Sequence, residues 1–120
     1  MPSDKQRKGA DAERTAARYL HSKGFNIIKM NYRIRGGEID IVAELDECIV
    51  FVEVKYRENT SYGLPRESVG YNKQQRLIKA ATMYIAKNNL SGRDMRFDVV
   101  EFLLQNNQLY VNHIENAFST

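Results

Sequence analysis

Two neighbouring segments in the middle of the chain constrain the fold most. EIDIVAEL at 38–45 alternates between apolar and polar residues, which is typical of a strand with one buried face. IVFVEVKYR at 49–57 is β-branched and apolar until it reaches Glu53, Lys55 and Arg57. Because only three residues separate the segments, we predict two antiparallel strands and a short turn. The charged residues then lie in a strand that otherwise belongs inside a sheet, where a lone carboxylate is costly to desolvate.

The register of this hairpin predicts which side chains meet. With an even-numbered loop centred just after Asp46, Asp40 faces Glu53 and Glu38 faces Lys55, with facing Cβ atoms about 4.5–5.5 Å apart. Two carboxylates this close repel each other unless a cation lies between them, and Mg²⁺ is a hard cation that takes carboxylate oxygens. Two alternatives stay open. A loop of odd length shifts the register by one, and Glu53 on an exposed face would form a cross-strand ion pair.

The remaining patterns predict an α/β domain with one mixed sheet and helices packed against it. A first helix from about Asp4 to Lys23 ends at Gly24 as its C-cap, and a capping box of Asn72 and Gln75 opens a second helix to about residue 87. The order is α-β-β-β-α-β-β. Further strands are predicted at 25–33, 95–104 and 108–114, a two-glycine turn at 34–37, and a long irregular loop at 58–71.

Two polar residues lie on the apolar stripes of these helices and are candidates for the same site. Glu13 is aligned with Ala16, Ala17 and Leu20, and Gln74 is aligned with the buried stripe of the second helix. For each residue alone, an equally good explanation is that it lies at the edge of the apolar stripe and that its side chain reaches water. In the first strand of the hairpin, one face is predicted to carry Ile39, Ile41, Ala43 and Leu45.

Composition and charge narrow the class of protein. The 120 residues fit one domain spanning 1–120, with a net charge of +3. Residues 1–35 hold nine Lys or Arg against three acids, whereas residues 36–58 hold seven acids against two basic residues. This distribution suits a polyanion bound around a cation site, with solvated helix faces as the open alternative. The sequence has no long apolar run, no apolar N-terminal stretch and a single cysteine, Cys48, so we predict a cytoplasmic protein without membrane spans.

The motifs of the hairpin resemble a known group of enzymes. Asp40 followed by EVK at 53–55 is similar to the active-site signature of the PD-(D/E)xK nuclease superfamily, which has a restriction-endonuclease-like fold. KGADAER, YLHSKGF, EIDIVA and FVEVK together resemble archaeal Holliday junction resolvases. NYR, GGEID, FVEVKYR and RFDVV resemble the bacterial YraN family of predicted endonucleases, over about residues 8–104.

The resemblance implies roles for particular residues. Glu13, Asp40, Glu53 and the backbone carbonyl of Val54 match metal ligands for Mg²⁺ or Mn²⁺, and Lys55 matches the lysine that orients the attacking water. The implied reaction is hydrolysis of DNA phosphodiester bonds, including those of branched DNA in recombination or repair. The implied assembly is a homodimer, because two sites must cut two strands. One departure is that Ile39, and not proline, precedes Asp40.

Residues around this site are expected to contact the DNA backbone. They are Lys8, Arg14, Arg33, Arg35, Arg57, Lys73, Gln74 and Arg76. Two rival readings remain: a nucleic-acid-binding accessory protein that has this fold without turnover, and a plain protein-interaction scaffold. His21 and His113 have no partner at metal-ligand spacing, and Asp98 is predicted to be a structural residue that bridges to Arg96 or to another basic group.

Overall fold

A five-stranded sheet forms the middle layer of the molecule, with one helix on each face. The computed structural model describes residues 4–58 and 69–119, with side chains from residue 9 onward. The predicted order α-β-β-β-α-β-β is confirmed, and most of the predicted loop at 58–71 lies outside the described residues. In chain order the elements are α1 (Asp4–Ser22), β1 (Asn26–Ile34), β2 (Gly37–Leu45), β3 (Cys48–Glu58), α2 (Tyr71–Lys87), β4 (Met95–Gln105) and β5 (Gln108–Phe118).

The strands follow one another across the sheet in the order β1-β2-β3-β4-β5. β3 and β4 are parallel because α2 connects them as a crossover, and the other neighbouring pairs are antiparallel. β3 is the central strand, and residues 49–53 in it are buried. Its apolar sequence is therefore explained by cover on both faces, as predicted.

Each helix packs on its own half of the core. On the α1 side, Ala12, Ala16 and Leu20 join a buried cluster with residues of β2, β3 and β4. On the α2 side, Leu77, Ala80, Ala81 and Tyr84 join a second cluster that includes Phe51, Phe97 and Val99. α2 approaches the start of β2 very closely, because a Cβ added to Gly37 would lie 2.6 Å from the carbonyl oxygen of Arg76.

The two helix ends predicted from the sequence have different outcomes. Gly24 ends α1 as predicted: its φ is +96°, and the N–H of Phe25 donates to the carbonyl of Leu20 at 3.0 Å. The capping box of Asn72 and Gln75 is wrong, because α2 already begins at Tyr71 and its N-cap, Gly70, makes no side-chain cap. The extended backbone of Gly70 takes that position instead, which leaves Asn72 inside the first turn.

The alternation of β2 breaks at Asp40, and this break positions the site. Ile41 and Ala43 share one face, as predicted, and this face lies on the α1 side. Ile39 belongs to the cluster on the α2 side, so the prediction of a common face is wrong for Ile39. The hydrogen-bonded pairing of β2 with β3 ends at Ile41 and Val52. Beyond that pair β2 separates from β3, and its side chains change from one face of the sheet to the other. An alternating pattern of apolar and polar residues does not predict this change.

β1 turns over together with β2. Met30 packs on the α1 side, whereas Tyr32 packs on the α2 side. Between them lies Asn31, whose φ of +54° is in the left-handed region, where Asn is one of the few tolerated non-glycine residues. Because Asn31 and Asp40 lie between the same two paired positions of the β1–β2 ladder, both strands change face at one point.

Candidate functional site

Asp40 lies where β2 separates from β3. The even register predicted for the hairpin is confirmed from Leu45–Cys48 to Ile41–Val52. One step further the ladder stops, and Asp40 Oδ2 accepts a hydrogen bond of 2.8 Å from the backbone N–H of Val54. The side-chain carboxylate therefore satisfies a β3 donor that a neighbouring strand would otherwise pair, and it is held at the point where the two strands part.

Glu53 meets Asp40 from the α2 side of the sheet. It is only 6% exposed. Burial, a side-chain hydrogen bond to Asp40 and the Asp40 charge together raise the pKa of Glu53 to about 8, although the nearby Lys73 opposes the shift. The predicted meeting of Asp40 and Glu53 is therefore found, but through their side chains and not as a pair within the ladder.

Glu13 reaches Asp40 from α1, on the other side of the sheet. Burial raises the pKa of Glu13, as do the Asp40 charge and a side-chain hydrogen bond to Asp40. A hydrogen bond to Asn31 and the charge of Arg33 act in the opposite direction. Three elements thus contribute one acid each, and we call Glu13, Asp40 and Glu53 the acid cluster.

The acid cluster has the chemistry that a divalent cation requires, although the structure holds no preformed site. Within residues 4–58 and 69–119, no group of three or more His, Cys, Asp or Glu side chains has the geometry of a metal site. The donor set is nevertheless all carboxylate, which suits Mg²⁺ or Mn²⁺. Burial, and after it the charge and hydrogen bonds of Asp40, raise the pKa of both Glu13 and Glu53, so these acids hold protons more readily than exposed ones. A cation that takes the place of those protons therefore fits these residues.

The lysine in contact with the acid cluster is Lys73, at the start of α2. Its Nζ lies 3.3 Å from Glu53 Oε2 and 3.3 Å from Glu38 Oε1. Burial alone would lower the pKa of Lys73, but the Glu53 charge and hydrogen bonds to both acids raise it. We predicted Lys73 as a contact to DNA, so its place among the acids was missed. No local sequence signal would have revealed it, because the contact depends on how α2 packs.

Lys55 has a different environment from the one predicted. The predicted pairing of Glu38 with Lys55 is wrong, because the β2–β3 ladder ends before these positions and Glu38 pairs with Lys73 and with Arg33 at 3.7 Å. Lys55 is half-buried two residues beyond Glu53, beside Glu101 of β4. Among the residues that the structure describes, Lys55 forms no ion pair.

The other predicted contacts to DNA are spread around the acid cluster. Arg14 pairs with Asp11 on the outer side of α1, and Gln74 donates to the carbonyl of Val69 at 2.7 Å, which holds the start of α2. Arg33, Arg35, Arg57 and Arg76 are exposed. The side chain of Lys8 lies outside the described residues, so its predicted role is untested.

A second polar cluster was only partly anticipated. Asp98 is buried and accepts two hydrogen bonds from Arg96, at 3.0 and 3.1 Å, which confirms the predicted bridge. His113 also contacts Asp98, through Nε2 at 2.8 Å, and the backbone N–H of Asn116 donates to it at 3.0 Å. Burial would raise the pKa of Asp98, but these hydrogen bonds outweigh it and lower the pKa. The link to His113 joins two strands and has no signal in either segment alone.

Fold and site together define a small α/β protein whose acid cluster lies at a break in a mixed sheet. Residues 12–102, which contain all three acids, match the profile of "Uncharacterised protein family UPF0102". The chain belongs to this family, and the YraN family that its motifs resemble is the same family, so that prediction is confirmed.

Similar proteins bear the family's name over almost the full chain. A UPF0102 protein of Clostridioides difficile is 48% identical over 111 residues, which cover 92% of this chain and 96% of that protein. One from a Sulfurihydrogenibium species is 48% identical, with 97% of each chain covered. One from Desulforapulum autotrophicum is 45% identical over 120 residues, covering 100% of this chain and 99% of that protein. Within the described ranges, no helix is long and apolar enough to cross a membrane.

Proposed function

We propose that this protein is a metal-dependent endonuclease that hydrolyses DNA phosphodiester bonds, including those of branched DNA. The observation that carries the proposal is the acid cluster, in which carboxyl groups from α1, β2 and β3 converge on Asp40. Burial and the neighbouring Asp40 raise the pKa of both Glu13 and Glu53, so a divalent cation that brings the three carboxylates together would relieve an unfavourable concentration of acids. A structural role alone gives no reason to bring three acids together.

In this proposal the acids hold the metal ion, Lys55 acts on the attacking water, and exposed arginines contact the substrate. Glu13, Asp40, Glu53 and the carbonyl of Val54 would hold Mg²⁺ or Mn²⁺, which activates water and polarises a phosphate oxygen when bound. Lys55, two residues along the strand from Glu53, orients the attacking water. The exposed residues Arg33, Arg35 and Arg76 neutralise phosphates on either side. We further propose a cytoplasmic homodimer, with one site for each strand.

The test is cleavage of a panel of labelled linear, flapped and four-way-junction DNA substrates with Mg²⁺, Mn²⁺ or EDTA. Wild-type protein should nick at least one substrate only with a divalent ion. Asp40→Asn should lower cleavage by more than about 100-fold, since even outer partners of a metal ligand are worth about 10–100-fold. Its thermal stability should stay equal or increase, because Asn still accepts the Val54 N–H and removes a repulsive charge.

The matched control is Asp46→Asn, which makes the same change at an exposed turn position of the same hairpin. It should cleave like the wild type. Binding of DNA without cleavage under any divalent ion would favour the accessory protein instead. If the protein has no affinity for DNA at low salt, the result would favour the protein-interaction scaffold.

A further inference from the structure

A groove between α1 and β1 combines an apolar floor with a cationic rim. Its residues come from one stripe of α1 and from one segment of β1. They are Arg14, Ala17, Arg18, His21, Ile27 and Met30. We propose that this groove binds an unpaired nucleic-acid strand and leads it into the acid cluster, a role that rests on the proposed endonuclease function.

The rim of the groove is positively charged and open to a ligand. Arg14 and Arg18 are exposed on the same side of α1. Among the residues that the structure describes, Arg14 pairs with the exposed Asp11, whereas Arg18 forms no ion pair. None of the described residues that line the groove is an acid. Its charge complements phosphate groups along a strand.

The floor of the groove suits bases that are not stacked in a duplex. Ala17, Ile27 and Met30 are half-buried and pack against the α1-side core, so they present a fixed apolar surface. Ile28 beside them is 42% exposed. A duplex hides its base faces and offers only phosphates, whereas an unpaired strand offers base faces and phosphates together. An apolar floor between cations therefore favours the unpaired strand.

The groove and the acid cluster use neighbouring residues of the same two elements. Arg14 of the groove follows Glu13 directly in α1, and Met30 of the groove precedes Asn31, whose side chain hydrogen bonds to Glu13. A nucleic-acid strand bound on Met30 would therefore lie near the first acid. This placement would favour substrates with an unpaired region next to the bond that is cut, such as flaps, gaps and forks.

An acidic peptide is the other polymer that such a groove could take, and the backbone of β1 disfavours it. A peptide would bind most simply by adding a strand next to β1, which is an edge strand of the sheet. However, the register of β1 shifts between Ile27 and Lys29, and Asn31 has a φ of +54°. A bulge and a left-handed residue interrupt the regular edge that strand addition requires.

The test is fluorescence anisotropy with labelled 20-nucleotide single-stranded DNA, the matching duplex and a 20-residue poly-glutamate peptide. All measurements use the Asp40→Asn protein in EDTA, so that cleavage does not interfere. The single strand should bind about tenfold more tightly than the duplex. Met30→Gln should weaken single-strand binding by up to about fivefold, because an apolar contact is worth no more than the low end of the range for a base stacked on an aromatic ring, and it should leave duplex binding unchanged. Arg18→Gln should reduce the salt dependence of single-strand binding by about 0.7 in slope.

Two control variants make the same kinds of substitution on α2, away from the groove. Met83→Gln alters a methionine that is 40% exposed on α2, and Lys87→Gln removes an exposed positive charge at the end of α2. Neither should affect single-strand binding. Thermal melts establish that each variant is folded. As a measurement free of any substitution, 4-thiothymidine in the single strand should cross-link to peptides from α1 and β1.

Three results would overturn the inference. They are duplex binding as tight as single-strand binding, a Met30→Gln effect no larger than that of Met83→Gln, and competition by poly-glutamate without binding of the single strand. Failure of the endonuclease proposal is seen separately. Single-strand binding through the groove without cleavage refutes the enzyme and keeps the groove, whereas cleavage of duplex without groove binding does the reverse.

Discussion

Asp40 has two roles that a single substitution can separate. Its carboxylate accepts the N–H of Val54 at the end of the β2–β3 ladder, and it also contacts Glu13 and Glu53. The first role needs an acceptor oxygen, which Asn retains, and the second needs negative charge, which Asn lacks. For this reason the Asp40→Asn variant described above tests the chemistry without removing the support of the fold.

The raised pKa of Glu53 predicts how stability depends on pH without metal. The pKa is raised from 4.5 to about 8, so between these values the folded state holds a proton that the unfolded state has lost. The stabilising contribution is complete below about pH 4.5 and is lost as the pH rises through about 8. In urea unfolding with EDTA, wild-type stability should therefore fall between pH 5 and 8.

Glu53→Gln should remove most of that slope, because Gln does not ionise. Glu47→Gln, at an exposed turn position, should retain it. An equally steep fall in the Glu53→Gln protein would show that Glu53 is ionised in the folded state at neutral pH.

Lys73 competes with any cation for Glu53. Its ammonium lies 3.3 Å from Glu53 Oε2 and is about one-third exposed. Lys73→Met should therefore destabilise the metal-free protein and tighten Mg²⁺ binding by up to about fivefold, the value of a partly exposed ion pair. Thermal melts with and without Mg²⁺ measure both effects.

Lys87→Met is the matched control for this prediction, because Lys87 is an exposed lysine of the same helix and forms no ion pair among the described residues. It should leave both the metal-free melting temperature and the Mg²⁺-induced shift unchanged. Weaker Mg²⁺ binding by Lys73→Met would mean that Lys73 supports the cation and does not compete with it.

The residues of the acid cluster differ in how far the sequence determines them. The approach of Asp40 to Glu53 could be predicted because the turn fixes the register of the hairpin up to Ile41 and Val52, although the sequence did not show that the ladder ends there. Lys73 could not be assigned, since its contact requires the distance and rotation of α2 relative to β2. Asn31 carried a signal, an Asn within a β-branched strand, but its effect on Asp40 appears only when both strands turn over.

At the scale of elements, the contact of α2 with β2 controls where Lys73 lies. A Cβ on Gly37 would come within 2.6 Å of the Arg76 carbonyl and 3.2 Å of the Ala80 nitrogen. Because both are backbone atoms of α2, the whole helix would have to shift. Gly37→Ala should cost about 1–3 kcal/mol of stability, as overpacking does, and should lower cleavage.

Gly70→Ala is the control for this effect. Gly70 has a φ of −65°, and nothing lies within 4 Å of the added Cβ. Urea unfolding should show a change within about 0.5 kcal/mol, because the poorer N-cap preference of Ala is offset by the lower entropy that Ala gives the unfolded chain. Equal effects of the two substitutions would contradict the close packing of α2 on Gly37.

The order and type of all seven elements could be predicted because each has a strong period or a clear breaker. Gly24 ended α1 as expected, since a left-handed C-cap has a local signature. The start of α2 could not be predicted correctly, because Gly70 offers no side chain and the Asn72–Gln75 pattern competes with it. The face of Ile39 was missed for a non-local reason: β2 follows β1 and not β3 beyond Ile41.

At the scale of the whole molecule, the Asp98 cluster joins parts of the chain that are far apart in sequence. Asp98 on β4 binds His113 on β5, and the His113 ring contacts Tyr19 of α1 and Phe25, with ring centroids 5.7 and 5.8 Å away. Asp98→Asn should therefore cost about 2–4 kcal/mol at pH 7, because it breaks a buried charged network.

The pH dependence of this loss follows from the lowered pKa of Asp98. A carboxyl whose pKa is below its ordinary value of 3.8 stabilises the fold fully above 3.8 and loses this contribution as the pH falls from there through the lowered pKa of the folded state. The difference in unfolding free energy between the two proteins in urea should therefore be constant near pH 7 and become smaller as the pH falls below 3.8. A difference that is the same at every pH would assign the loss to packing alone.

The change of face at Asn31 and Asp40 has a consequence for how the two sides of the molecule are coupled. Elsewhere the sheet separates the two helices, and each helix packs on its own buried cluster. At this point Glu13 of α1 and Glu53 on the α2 side both contact Asp40. A change in the packing of either helix on the sheet therefore alters the surroundings of the same carboxylate.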